Sequence, residues 1–289
     1  MIKQTLSDRI LKVCIVLVIS VISIVSLIPI WNAIVVSITP SYAQSLSFSL
    51  LPKAIDFNAW KSILCSEFMW KCFQNTVVRT VLGTALSLAL TILTAYPLSK
   101  KRLPFGRTFN ALLTFTMIFN GGMIPAYILV KNLHLIDTLW SLLLPAAISS
   151  YNVVVMRSFF AGLPDSLEES AKLDGANDFI ILTKIVLPLS LASVATISLW
   201  IAVMHWNSWF DVVLYINDRE KYVLQMVLKE FQEASSIDTL ELGSTTGTAP
   251  TTEAVQNAST LFVIIPILMV YPFLQKYFMK GVTVGAVKG

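Results

Sequence analysis

Long apolar runs separated by shorter polar stretches dominate the chain from its first residues onward. A helix needs about 20 apolar residues to cross about 30 Å of hydrocarbon, and six runs are long enough. They cover approximately 13–36, 77–98, 109–130, 139–160, 180–204 and 259–278. Pro29, Gly83, Gly121, Gly122, Pro125, Pro145, Pro188 and Pro266 interrupt them. Such residues are tolerated in membrane helices because neighbouring helices and waters satisfy the freed backbone groups. Gly121-Gly122 with Pro125 predicts either a break in the third run or a close helix contact. The pattern therefore predicts an all-α membrane protein of six transmembrane helices, a single domain over 1–289. The first run is too long for the apolar core of a cleaved leader and reads as an anchor.

Two other periodicities lie between the runs. Residues 221–233 place apolar groups at helical spacing and predict a short surface helix, whereas 243–252 are rich in Gly, Ser and Thr and predict a loop. Residues 162–188 predict a helix–turn–helix. Asp165 with Glu168, and Ser166 with Glu169, each spell a capping box at a helix start. Leu167, Ala171 and Leu173 give that helix an apolar side, and Gly175 can end it in a left-handed conformation. A second short helix is predicted over about 177–184. The apolar side of the first helix needs cover, either from its own bundle at the membrane surface or from a partner.

Composition agrees with lipid as the surrounding solvent. The chain of 289 residues is 55% hydrophobic and 13% charged, against about 25% charged in soluble domains. Its net charge of +4 is spread over loops, with no basic face suited to nucleic acid. Charge placement also sets orientation. With the N-terminus inside, Lys3, Arg9, Lys12, Lys100, Lys101, Arg102 and Arg107 are cytoplasmic. So are Arg157, Lys172, Lys184, Lys276, Lys280 and Lys288, leaving eight of the 21 basic residues outside. Both termini and the 162–188 loop are then cytoplasmic.

Candidate chemistry is sparse. His134 and His205 are the only histidines, and Cys14, Cys65 and Cys72 show no metal-binding spacing. Cys65 and Cys72 are close in one outer segment, where a disulfide is open to them. No GxxxxGK(S/T) phosphate loop occurs, and carboxylates are nearly missing from the runs. That argues against ATP hydrolysis by this chain and against a proton- or sodium-driven carrier. No grouped Ser/Lys, His/Glu or paired Asp suggests an intramembrane enzyme, so no catalytic or metal site is assigned. Asn120 and Asn152 lie within runs and could line a path or join helices. Trp206, Asn207, Trp209 and Tyr215 cluster at the outer end of the fifth run, as a sugar-stacking surface or as an interfacial belt.

One spacing pattern is specific. Glu169-Ser170-Ala171, three residues, Gly175, nine residues, Ile185, one residue and Leu187-Pro188 resembles the EAA loop of ABC importer permeases. The single departure is Ser170 for the usual Ala. Ala95-Tyr96-Pro97-Leu98-Ser99, His205-Trp206-Asn207, Tyr271-Pro272-Phe273 and the ending Gly285-Ala-Val-Lys-Gly289 extend the likeness along the whole chain. The sequence is similar to type I carbohydrate permeases of the MalG and LplC kind. That resemblance implies an importer in the bacterial cytoplasmic membrane, in which two homologous permeases share one path. It implies a separate ATPase dimer that uses ATP and Mg below, and an extracytoplasmic binding protein that delivers a sugar or oligosaccharide above. It further implies that Glu168, Glu169, Ser170, Ala171, Asp174, Gly175, Leu187 and Pro188 form the ATPase-coupling site. Gly281, Gly285, Lys288 and Gly289 of the tail 279–289 would reach the ATPase as well.

Overall fold

A computed structural model describes the backbone of residues 6–40, 51–241 and 251–286, and the side chains of 10–40, 51–233 and 251–270. Among the described residues the chain is all-helical, in agreement with the sequence. The helices are α1 (Leu6–Ser37), α2 (Asn58–Leu64), α3 (Glu67–Ser99), α4 (Gly106–Ile118), α5 (Met123–Asn132), α6 (Leu139–Leu143) and α7 (Ser150–Ala161). They continue as α8 (Asp165–Leu173), α9 (Asp178–Ile181), α10 (Leu187–Leu189), α11 (Leu191–Asn207), α12 (Phe210–Tyr215), α13 (Leu224–Glu241) and α14 (Thr252–Ala286). Leu182–Val186 widens into a π-helix and Arg219–Lys221 forms a 3-10 turn.

Among the described residues three helices are long and apolar enough to cross a membrane unbroken: Ile10–Ser37, Glu67–Ser99 and Thr252–Val270. They answer to the first, second and sixth predicted runs. The third run, 109–130, is instead the pair α4 and α5, bent by 110°. Asn120 and the two glycines explain the break. Gly122 has φ +90, which a side chain would resist, and its N–H donates to Asn120 Oδ1 at 2.9 Å. The fourth run, 139–160, is α6 and α7 with non-helical backbone over 144–149, around Pro145. The fifth run bends by 86° between α10 and α11. Pro188 has no N–H and its ring crowds the carbonyl four residues earlier, so the preceding turn opens into the π register.

The chain divides into two compact units, Met1–Met69 with Leu228–Ile265 and Trp70–Val227 with Pro266–Gly289. In the first, the 18-residue apolar window of α1 leaves nothing buried, with a mean hydropathy of 3.0. A helix apolar all round in this way needs lipid or another subunit as its solvent. Ser37 at its end accepts from Trp60 Nε1 at 3.2 Å, and Asp56, just before α2, accepts from Asn58 N at 2.9 Å.

Among the described residues the second unit shows two cores. One joins the C-terminal half of α3 to α7, α9 and α11 through Tyr96, Met156, Phe160, Ile181 and Ile197. The other joins α5 and α6 to α12 through Val130, Leu142, Val212 and Tyr215, with Tyr127 stacked on Tyr215 at 6.3 Å. The predicted surface helix over 221–233 corresponds to the start of α13. Cys65 is exposed at the end of α2 while Cys72 is fully buried on α3, and neither belongs to a disulfide.

Candidate functional site

The 162–188 loop folds as the predicted helix–turn–helix, with a different start. Pro164 is the N-cap residue of α8, and no side chain caps the helix. The carboxylates that spelled capping boxes are used elsewhere: Asp165 pairs with Lys101 at 3.0 Å and Glu168 pairs with Lys100. Both acids still sit in the first turn, where the helix dipole favours negative charge. The far end follows expectation. Gly175 has φ +83, its N–H donates to Lys172 O at 3.1 Å, and Ala176 N–H donates to Ala171 O at 2.9 Å. These are the two bonds of a Schellman stop. Asn177 then caps α9 by accepting from Ile180 N at 2.8 Å, and Lys172 pairs with Asp178 at 3.3 Å across the turn.

This element has two sides. Ala171, Ala176, Leu163 and Leu187 pack against the core of α3, α7 and α9. Leu167, Leu173 and Phe179 face outward at 41%, 89% and 68% exposure. The sequence left open whether the apolar side of α8 is covered by its own bundle, and the structure divides it: the alanines are covered and the large groups are not. The coupling candidates divide likewise. Glu169, Ser170, Asp174, Gly175 and Pro188 are exposed, whereas Glu168, Ala171 and Leu187 turn toward the bundle.

The inward side is tied to the end of α3. Lys100 reaches Glu168 while lying over the Tyr96 ring at 4.3 Å, and Tyr96 meets Phe160 edge-on at 6.5 Å. Arg157 Nε donates to Leu98 O at 3.0 Å. A cleft of about 250 Å³ runs between the C-terminal ends of α3 and α7 and the flank of α8. Lys100, Arg102, Phe160, Asp165 and Glu169 line it.

The six path candidates are not brought together. Asn120 is exposed in the break between α4 and α5, while Asn152 is half-buried in the first turn of α7. Trp206 is buried, edge-on to Phe73 at 6.4 Å. Tyr215 is buried in its stack with Tyr127. Asn207 is exposed and accepts from Gln225 Nε2 at 3.1 Å, and Trp209 meets Phe210 at 5.6 Å. Trp206 and Tyr215 are thus packed within this chain. Of the tail candidates, Gly281 and Gly285 lie on α14 with only their backbone described, and Lys288 and Gly289 lie outside the described residues.

Sequence reasoning missed Arg79. It is 1% exposed on α3, pairs with Asp211 and donates to Ser208 O at 3.1 Å. One turn along, the imidazole of His205 lies flat on Gly83, where a Cβ would come within 2.6 Å of Nε2. An arginine buried in an apolar span is costly without a partner. The available signal was the spacing of Arg79, Gly83 and Ser87 on one helix face, with His205 and Asp211 downstream.

No protein-family model matches the chain. It is 43% identical over 248 residues to a polygalacturonan/rhamnogalacturonan transport system permease protein, YtcP, of Bacillus subtilis, covering 85% of this chain and 86% of that one. It is 37% identical over 287 residues to the protein LplC of the same organism, covering 99% and 97%. Among solved structures it superposes, with a TM-score of 0.83 and 34% identity, on a chain of a bacterial ABC transporter involved in the import of the acidic polysaccharide alginate. That superposition covers 95% of this chain and 98% of the other.

Proposed function

The chain belongs to the sugar-transport permeases of ABC importers, and from that premise we propose that it forms half of a path for an acidic oligosaccharide, driven through residues 162–188. It is a transport subunit of the membrane and not an enzyme. Uronic-acid polymers recur in the names of the similar proteins, pectic in one and alginate in the other, which favours an anionic sugar chain as cargo. A second permease completes the path, an extracytoplasmic binding protein delivers the sugar, and an ATPase dimer outside this chain hydrolyses ATP with Mg. Both termini are cytoplasmic. Asn120, in the exposed break of α4 and α5, is the path residue best placed to meet a partner subunit or a sugar.

The observation that carries the ATPase-coupling part is the outward face of the loop. Leu173 and Phe179 stand in water on a backbone fixed by a Schellman stop, an Asn cap and three ion pairs. Burying side chains of this size gains about 1.5–3 kcal/mol each, and a pre-ordered backbone spends little of that on ordering. Glu169, Ser170, Asp174 and Gly175 form the polar rim of the same face. The experiment is uptake of labelled oligogalacturonate by vesicles holding the co-expressed permeases, binding protein and ATPase. Uptake is expected to need ATP, and Glu169→Lys to retain hydrolysis while losing uptake. Uptake that follows an ion gradient without ATP, or that is untouched by Glu169→Lys, would refute the reading.

A further inference from the structure

The outer half of α3 is stitched to the segment 205–224 along one face. Lys71 pairs with Glu220, and Asn75 Nδ2 donates to Glu220 O at 2.8 Å and to Tyr222 O at 3.0 Å. Thr76 Oγ1 accepts from the buried Leu224 N–H at 2.9 Å. Arg79 holds Asp211 and Ser208 O, and Gly83 lies against His205. Positions 71, 75, 79 and 83 repeat every four residues, which keeps them on one helix face. The inner end of the same helix is held by Lys100 to Glu168, by Lys101 to Asp165 and by Leu98 O to Arg157.

The helix that carries both sets of bonds, α3, is continuous over 33 residues with Pro97 in its last turn, about 50 Å at 1.5 Å per residue. Three other routes among the described residues are interrupted. The route through α9 and α11 bends by 86°, α4 and α5 bend by 110°, and α7 has only 12 residues. A continuous helix passes a displacement of one end to the other, whereas a bend or a short element absorbs it in its own dihedrals. We propose that α3 is the rod linking the coupling loop to the outer segment 205–224, with Lys100 and Arg79 as the positioning residues at its two ends. The assignment rests on the reading of 162–188 as the ATPase-docking element. The demonstration is a perturbation at one end that is read at the other.

The test is hydrogen–deuterium exchange on the assembled transporter in lipid nanodiscs. Lys100→Glu, Glu168→Lys, the double exchange Lys100→Glu/Glu168→Lys and Asp211→Asn are compared with wild type. Lys100→Glu is expected to speed exchange in 205–224 by about threefold or more while sparing 51–66, because local opening costs are lowered only where α3 is attached. Restoring the pair with opposite signs should bring 205–224 back to the wild-type rate. Asp211→Asn should in turn loosen 162–188, since coupling is reciprocal. Exchange changes confined to 95–105 and 162–175 overturn the proposal. So does a double exchange no better than its parents, or an equal rise in 51–66 that signals general loosening. If the Lys100→Glu transporter fails to assemble, Lys100→Gln is read by the same rules. Whether the wild type retains an ATPase on purification scores the docking reading separately, because the exchange measurement needs no sugar and no hydrolysis.

Discussion

Gly175→Ala separates backbone strain from crowding in the coupling loop. Gly175 has φ +83, and a Cβ built there would meet nothing within 4 Å in this chain. The intramolecular cost is therefore conformational: a residue with a Cβ pays about 1–2 kcal/mol to sit in the left-handed region. That penalty competes directly with the two bonds of the Schellman stop, so the loop spends more time with its last turn undone. At about 1.4 kcal/mol per factor of ten, the ratio of docking-competent to undone loop falls by about 5- to 30-fold, and apparent affinity falls by up to that factor. The assay is titration of the purified ATPase onto nanodiscs holding the permease pair, with the dissociation constant as readout. Gly175→Val should be worse than Gly175→Ala, because β-branching is poorly tolerated at positive φ. Gly175→Asn should lie within about threefold of wild type, since Asn enters the left-handed region readily. Equal affinities for Gly, Ala and Val would refute the conformational account. An Asn variant as weak as Val would show that the ATPase itself presses on this position and that space, not φ, selects glycine.

Three further outcomes follow from other parts of the chain. Gly83→Ala should lower the melting temperature of the detergent-solubilised chain, because its Cβ would lie 2.6 Å from His205 Nε2 and overpacking costs about 1–3 kcal/mol; Gly83→Ala/His205→Ala should recover part of the loss, and a double variant worse than both singles would refute the contact. Asp137 accepts from the backbone N–H of Asn217 at 2.6 Å and of Asp218 at 3.0 Å and from the Asn217 amide, which hold its carboxyl below the ordinary 3.8. A lowered carboxyl contributes stability that is present above the ordinary value and lost as pH falls through the lowered one. Exchange protection of 215–221 should therefore drop below about pH 4 in wild type, and should be weak and pH-independent in Asp137→Asn. Cys65 is exposed and Cys72 buried, so a membrane-impermeant maleimide added to intact cells should label Cys65 about tenfold faster or more. Labelling only after permeabilisation would reverse the proposed orientation.

How much of this could be read from the sequence varies with the range of the interaction that decides each feature. α1 and α3 were legible because a long apolar run has no other stable solution in lipid, where a lone Pro29 or Gly83 is tolerated. The Schellman stop at Gly175 was legible for a similar reason: glycine, the preceding Lys172 and the following Asn177 settle it within six residues. The start of α8 was not, although Asp165 and Glu168 spelled a capping box. Lys100 and Lys101, more than sixty positions earlier, claim both carboxylates, and a pair between two charged groups draws them away from the uncharged backbone N–H of a cap. The fourth run looked continuous because Pro145 is compatible with a membrane helix whenever neighbours satisfy the freed carbonyl; whether they do is a tertiary fact. The buried arginine is the sharpest case. A low charge count led to the inference that the spans hold almost no ionisable groups, and by number that was nearly right. Position matters more than number here: one guanidinium 1% exposed, paired to a carboxylate 132 residues away, fixes the N-terminal half of α3 against the break between α11 and α12. Charge tallies by loop average over just this kind of residue. In a membrane permease the single basic residue a tally leaves at the edge of an apolar run is therefore the one whose partner should be sought first.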